Sequence, residues 1–367
     1  MIKFKVPYTN FQLKNKPIKK KLIRSFEKVL DSGQYILGNE VKKFEKEFSS
    51  YTKTKFATGI SNGTCALHLS LRVLGIGKND EVITVPNSYI ATASPIAHTG
   101  AKPVFVDVLN DMNINPHLIE EAITSKTKAI IPVHLTGRPA KMNEIKKIAN
   151  KYNLYIIEDA AQAVGAKLKD KMVGSFGDAA AFSCHPLKNL HAYGDAGMMV
   201  TNNKKIFEKV NQDKNHGLVN RDRCDKWGFN CRLDELQASL LRVNLKSLNK
   251  WTNERRRLAF RYNKLLSRYV NVPTENKEEY NVYHTYIIQT ENRDRLLNFL
   301  RKNGVEANVH YPTPIHLQPA AKYLRYNNKS FPVTMKLSRT ILSLPIYPGL
   351  TYAKQDYIEN LFSKFYR

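Results

Sequence analysis

The sequence is poor in cysteine, tryptophan and acid: its 367 residues include 4 Cys and 2 Trp, and 32 Asp and Glu face 58 Lys and Arg. Cys65, Cys184, Cys224 and Cys231 are too few and too scattered to staple a chain of this length. They form no CxxC pair, and no histidine doublet stands at helical spacing to complete a zinc site, so no metal is expected. Reduced, mostly buried thiols are the expectation. No apolar run approaches the ~18–20 residues that a membrane-crossing helix needs. The opening Met1-Ile2-Lys3-Phe4-Lys5-Val6-Pro7 has neither the apolar core nor the small-residue cleavage site of a secretory leader, so the reading is a soluble, cytoplasmic protein. The shortage of acid leaves a formal charge of +26, which raises nucleic acid or a membrane surface as partners. However, the lysines are spread along the whole chain. The only tight basic clusters, Lys19-Lys20-Lys21 and Arg255-Arg256-Arg257, fall in helical patterns and read as solvated faces. Helix-turn-helix and interleaved aromatic–basic signals are missing too, so neither nucleic-acid binding nor membrane insertion is expected.

What is present suffices for a large core: 42% of residues are hydrophobic, and the length suits about two domains. From Lys55 to about Asn202, short apolar runs alternate with amphipathic stretches. The strand candidates are Val82 to Val85, Pro103 to Asp107, Ala129 to Val133, Tyr155 to Asp159, Ala179 to Ser183 and Gly197 to Val200. Continuously apolar strands are expected where both sheet faces are covered. Helical patterns at Pro116 to Ile123 and Met142 to Tyr152 lie between them, which argues for an α/β domain with a mostly parallel sheet. From Arg232 to about Arg268 the pattern is long, helical and charged, with a break near Asn249-Lys250-Trp251. A helix at Arg293 to Lys302 and a strand at Val305 to Val309 follow. The change of texture places a domain boundary near residue 245, giving a large domain over 1–245 and a smaller α+β domain over 246–367.

In such sheets ligands gather beyond the carboxyl ends of the strands, which makes strand-end residues candidates. Ser61-Asn62-Gly63-Thr64 precedes a helical run from Cys65 to Leu74; a Gly-Thr step at a helix start offers backbone N–H groups, a hydroxyl and the positive end of the dipole to a phosphate. A plain helix cap would give the same letters, and no Gly-Lys-Ser/Thr follows to make a nucleoside triphosphate loop. Asp159 closes a buried strand, where a carboxylate is costly without a cation to meet it. A pyridinium nitrogen would be such a cation; the alternative is a carboxylate capping a following helix. Lys188 lies just past the strand Ala181-Phe182-Ser183, in a turn opened by His185-Pro186. Desolvation there would lower its pKa toward the range in which the amine is a nucleophile able to join an aldehyde. One more surface lysine is the competing reading.

Taken in order, a phosphate cradle, an Asp with Gln162, and a Ser with a Lys are the parts needed to hold pyridoxal phosphate. Here the chain resembles the sugar-aminotransferase family (DegT/DnrJ/StrS), fold-type I enzymes dependent on that cofactor. The resemblance also rests on Gly33 to Gly38, Val41 to Phe48, Pro86 to Ala93, Val133 to Pro139, Gly228 to Asp234, His310 to His316 and Ser343 to Pro348. It implies a large cofactor-binding domain with a mostly parallel central sheet flanked by helices. It also implies specific roles: Lys188 as the Schiff-base lysine and proton shuttle, Asp159 against the pyridine nitrogen, Gln162 on the ring's phenolic oxygen, and Gly63, Thr64 and Ser183 on the phosphate. Tyr89 would lie against the ring face, with a packed core aromatic as the alternative, and Asn230 would reach the phosphate of a neighbouring subunit, so that a homodimer completes the sites. Tyr193, His310 and Tyr311 would contact the nucleotide-sugar. The implied reaction passes an amino group from L-glutamate to a 3- or 4-keto sugar carried on a nucleotide, for amino-deoxy sugars of surface polysaccharide or lipopolysaccharide. Relatives that replace the lysine by His are dehydratases, and a non-catalytic basic regulator on the same scaffold is the third reading. Retention of Lys188, Asp159 and Gln162 favours amino transfer. Cys65, His191 and Ala196 depart from residues common in relatives.

Overall fold

The computed structural model describes residues 4–367, so the first three residues of the opening segment lie outside the described part. Seven strands make the central sheet: β1 (Phe56–Ile60), β2 (Glu81–Thr84), β3 (Lys102–Phe105), β4 (Thr127–Ile130), β5 (Tyr155–Asp159), β6 (Ala179–Ser183) and β7 (Gly197–Thr201). Their order is β1-β7-β6-β5-β4-β2-β3. Neighbours from β3 to β6 pair in parallel, and β7 pairs antiparallel with both β6 and β1, so β7 alone runs against the rest. The α/β class with a mostly parallel sheet therefore holds, and all six expected strands are in it. β1 escaped the sequence reading because Thr58-Gly59 interrupts its apolar run; Thr58 is nonetheless buried, its hydroxyl bonding Asn211 and Lys214.

Side chains alternate between two cores, as the pleat requires. On β6, Ala180 and Phe182 join Phe44 and Phe48 of the helix α1 (Asn39–Thr52), whereas Ala179 and Ala181 join Leu67 and Leu71 of α2 (Gly63–Val73). Alanine on β6 lets α2 lie close to the sheet, which brings the helix start against the strand end.

Further along, α3 (Met142–Tyr152) and α4 (Arg293–Lys302) have the predicted bounds. Three expectations are corrected. Pro116 to Ile123 is two 3-10 turns, Pro116–Leu118 and Glu120–Ala122, because Asn115 caps the first turn and Ile123 leaves for extended backbone. Val305 to Val309 makes isolated bridges to two different partners, Val6 and Ser343, and so builds no ladder of its own. No break occurs near Trp251: α5 (Glu235–Leu266) is continuous across residue 245, with Trp251 packed on Ile18 and Leu22. Its C-terminal half enters a second core with the antiparallel pair β8 (Tyr286–Gln289) and β9 (Ile341–Leu344), α4, and Phe362. The Arg255 cluster is corrected as well. Lys19 to Lys21 are exposed as expected, but Arg255 is buried and its Nη1 donates to the carbonyls of Tyr283, His284 and Ile346. Among the described residues no helix is long and apolar enough to cross a membrane.

Candidate active site

The carboxyl ends of β5 and β6, the start of α2 and the segment 310–311 meet around a cavity of about 1090 Å³. Its floor begins at Asn62, whose side chain caps α2 by accepting the N–H of Cys65 at 2.8 Å. An α-helix leaves its first N–H groups without intrahelical acceptors, and those of Gly63 and Thr64 are not consumed by this cap. Two bare Cα positions make the cradle tight. A Cβ on Gly63 would lie 3.0 Å from Ser183 Cβ, and one on Gly197 would meet Asn62 C at 2.4 Å and Gly63 N at 2.8 Å. The strand end, the adjacent antiparallel strand and the helix start are thus in direct backbone contact.

Asp159 is buried at the end of β5. Its Oδ2 accepts the Thr92 hydroxyl at 2.7 Å and its Oδ1 the Ala161 N–H at 3.2 Å. No helix follows it, only turns, so the helix-capping alternative fails. The preceding Glu158 points to the other face, buried, and takes N–H groups of Gly174, Phe176 and Gly177 and His134 Nε2. His134 Nδ1 in turn accepts the Ala140 N–H at 3.0 Å, which puts the imidazole proton on Nε2. Adjacent carboxylates on one strand therefore have separate duties, one structural and one facing the cavity.

Lys188 sits in the turn after β6, its N–H on the His185 carbonyl at 2.8 Å. Burial pulls its ammonium pKa down to about 8, with Asp159 opposing the shift. The reading of Lys188 as an ordinary surface lysine fails on that position. His310, whose Nδ1 is 2.8 Å from Ser343 Oγ, is lowered to about 4 by burial and by the charge of Lys188, and is neutral near pH 7. Burial raises the Tyr311 phenol, helped by Asp159. Gln162 spans the same wall: its Oε1 accepts the Thr136 N–H at 2.7 Å and its Nε2 donates to Tyr311 Oη at 3.4 Å.

The cavity thus gathers Gly63, Thr64, Tyr89, Asp159, Gln162, Ser183, Lys188, His310 and Tyr311. Tyr89 is 56% exposed, with its ring 5.7 Å from that of Tyr311, which rules out the packed-core alternative. Two predicted residues are not on the cavity wall of the single chain. Tyr193 donates its hydroxyl to Asn15 at 3.1 Å, and Asn230 is exposed, bridged to Asn215. The sequence reading missed Ser88 and Thr92, whose i, i+4 spacing inside the quoted Pro86 to Ala93 segment was the available signal, and His284, which no local pattern marks. Chemically, the arrangement offers an anion cradle, an amine with lowered pKa and a buried carboxylate on one wall. The reduced-thiol expectation also holds, with all four cysteines free, although Cys224 is exposed and Cys65 partly so.

The profile of the DegT/DnrJ/EryC1/StrS aminotransferase family matches residues 16–363. A pleiotropic regulatory protein of Geobacillus stearothermophilus is 42% identical over 367 residues, covering 99% of each chain. A dTDP-3-amino-3,4,6-trideoxy-alpha-D-glucose transaminase of Streptomyces venezuelae is 38% identical over 94% of this chain and 92% of its own. Among solved structures, NtdA of Bacillus subtilis with bound cofactor PMP superposes with a TM-score of 0.89 at 31% identity, over 97% of this chain and 82% of that one.

Proposed function

This chain belongs to the DegT/DnrJ/EryC1/StrS aminotransferase family, and from that premise we propose that it transfers an amino group from L-glutamate to a 3- or 4-keto sugar carried on a nucleotide, using pyridoxal phosphate. The observation that carries the reading is the meeting of Lys188, Asp159 and the Gly63-Thr64 cradle on one cavity wall.

The residues fit that cofactor. The cradle closed by the bare Cα of Gly197 suits a phosphate at a helix start. Asp159, held by Thr92, suits a protonated ring nitrogen, and Gln162 Nε2 can serve the ring's phenolic oxygen as it serves Tyr311. Ser183 Oγ and Thr64 would add hydroxyls to the phosphate, and Tyr89 would cover a ring face. When bound, the cofactor supplies an aldehyde that carries the amino group and a ring that draws electrons from the reacting carbon. Lys188 Nζ would hold that aldehyde and would carry the proton to and from the reacting carbon. A neutral amine is required for both duties, and burial supplies it near pH 8. Neutral His310 and Tyr311 line the substrate side without adding a competing cation.

A second copy of this chain fits the exposed surface beside the cavity. Leu187 on its wall and Ile90, between the wall residues Tyr89 and Ala91, are 49% and 50% exposed, and Val219 and Trp227 are 54% and 87% exposed on the segment that ends at Asn230. A homodimer would cover these side chains and let Asn230 and Tyr193 reach the partner's site. The free thiols suit the cytoplasm, and the basic surplus would steer an anionic diphosphate inward. The name of the Geobacillus relative would suit a regulator, but a regulator has no use for Lys188, Asp159 and Gln162 together.

The test is to incubate the purified protein with pyridoxal phosphate, reduce with borohydride and map the label. Expected are a yellow protein, a label on Lys188 lost in Lys188→Ala, and 2-oxoglutarate formed from glutamate when keto-sugars on dTDP, UDP or GDP are supplied. A colourless, unlabelled protein overturns the reading.

A further inference from the structure

A second cavity, of about 620 Å³, has no lining residue in common with the active-site cavity among the described residues. It lies between the end of α1, the short strands Lys167–Leu168 and Lys171–Met172, Tyr280 and the middle of α5. Its α5 wall is Leu245, Asn249, Thr252 and Asn253, spaced i, i+4, i+7 and i+8, which is one face of a helix. Asn249 opens the run that reads as a break in the sequence. The helix nevertheless continues, with Trp251 turned to Ile18 and Leu22. The polar stripe therefore belongs to no loop; it faces this cavity.

Its polar groups are ordered by their neighbours. Tyr51 Oη donates to Asn249 Oδ1 at 2.9 Å, and Tyr280 Oη donates to Asn253 Oδ1 at 2.8 Å. Each amide oxygen is thereby engaged, and each Nδ2 keeps its N–H donors without an acceptor among the described residues. The bare Cα of Gly165 makes room for the first pair, since a Cβ there would lie 2.7 Å from Tyr51 Oη. Lys53 and Lys167 also line the cavity, and neither has a carboxylate within ion-pair distance among the described residues. Glu47 is the one acid on the wall, and its Oε1 already accepts Arg242 Nε and Nη2. Thr252 is buried, and its hydroxyl has no partner.

We propose that this cavity is a binding site for an anionic sugar, a pyranose that carries a phosphate or a carboxylate. Two amide NH₂ groups and two ammonium groups face one carboxylate that Arg242 already neutralises, so a ligand must bring acceptors and negative charge. A bare inorganic anion would answer the lysines and leave the stripe on α5 unused. Sugar hydroxyls both donate and accept, so they match the two amides, the Thr252 hydroxyl and Glu47 Oε2 together. Leu245 and Met172 offer apolar surface to the C–H groups of the ring. The volume lies in the ~300–1,000 Å³ range of small-molecule sites. The proposal is independent of the amino-transfer reading, because it uses none of the residues around Lys188.

The experiment is calorimetric titration of the purified full chain with glucose 1-phosphate and with glucuronate, using glucose and inorganic phosphate as controls. Saturable binding of at least one of the two charged sugars, tighter than either control, is expected. The double variant Asn249→Asp/Asn253→Asp keeps an acceptor for each tyrosine hydroxyl but replaces each NH₂ by a charged oxygen. It should bind the same probe about tenfold more weakly or worse. Thr252→Val removes a hydroxyl that has no partner in the free protein, so affinity should fall severalfold while the thermal unfolding midpoint does not fall. Absence of saturable binding by the wild type overturns the site. Binding unchanged in the double variant places the probe elsewhere and overturns it too. Inorganic phosphate binding as tightly as the charged sugars overturns the sugar, and glucose doing so overturns the requirement for charge. A lowered midpoint with unchanged affinity in Thr252→Val overturns the role of that hydroxyl.

Discussion

The Thr92 hydroxyl donates to Asp159 Oδ2 at 2.7 Å, and Ser88 Oγ stands 2.8 Å from the same hydroxyl. Because Thr92 spends its proton on the carboxylate, Ser88 must be the donor to Thr92, so all three oxygens are ordered in one direction. This relay fixes the rotamer of Asp159 on the cavity wall. Thr92→Val keeps the shape and removes the donor. A hydrogen bond to a charged group contributes about 1.5–3 kcal/mol, so pyridoxal phosphate should bind about 10–100-fold more weakly, measured by absorbance titration, with the thermal unfolding midpoint little changed.

Lys188 sets a pH dependence whose sign follows from burial. Its ammonium is the form disfavoured in the cavity, so its pKa lies near 8 rather than at 10.5. Below pH 8 the nucleophilic neutral fraction falls about tenfold per unit. The rate of cofactor capture should therefore rise from pH 6 to about pH 8 and flatten above it. A rate still climbing with the same slope between pH 9 and pH 10 would mean that the amine titrates as an ordinary solvated lysine.

Gly197→Ala places a methyl group against the backbone of the cradle, at 2.4 Å from Asn62 C. Nothing there is the flexible end of a side chain, so the start of α2 must shift away from β7. We expect loss of phosphate-dependent affinity: pyridoxal phosphate binding should fall toward that of pyridoxal, which has no phosphate to lose. Calorimetric titration of both compounds against wild type and variant checks it.

Glu158→Gln tests the structural carboxylate. Its oxygens accept four donors, including three backbone N–H groups within 2.8 Å. An amide would turn an NH₂ toward at least one donor and leave a buried polar group unmatched, at a cost of about 1–3 kcal/mol or more. The denaturation midpoint should fall, and the affinity for the cofactor should fall with it, since Glu158 and Asp159 share the end of β5.

Much of the site was readable because its residues sit where chain order and strand direction coincide. Asp159 and Ser183 end continuously apolar strands, and Gly63-Thr64 opens an amphipathic helix, so periodicity alone put them at one edge of the sheet. Lys188 followed from its distance past β6. The misses have a common cause. Thr92 acts on Asp159 across 67 positions of sequence, a partner that its i, i+4 spacing from Ser88 does not reveal, and His284 reaches the cavity with no local pattern to mark it. The break read at Trp251 had the same origin: its polar neighbours suggested a loop, but Ile18 and Leu22, far away in sequence, bury the tryptophan and keep the helix whole.

Local chemistry, then, was set by the sequence: which strands are buried on both faces, where each helix starts, and which amine, carboxylate and glycine stand at the strand ends, because these depend on the order of apolar and polar residues over one or two turns. The tertiary structure alone decided the electrostatics and the close contacts. Only packing could bury Lys188 enough to lower its pKa, turn Glu158 and Asp159 to opposite faces with different partners, and bring Gly197 against the start of α2, because desolvation and van der Waals exclusion depend on distances that the order of residues does not contain.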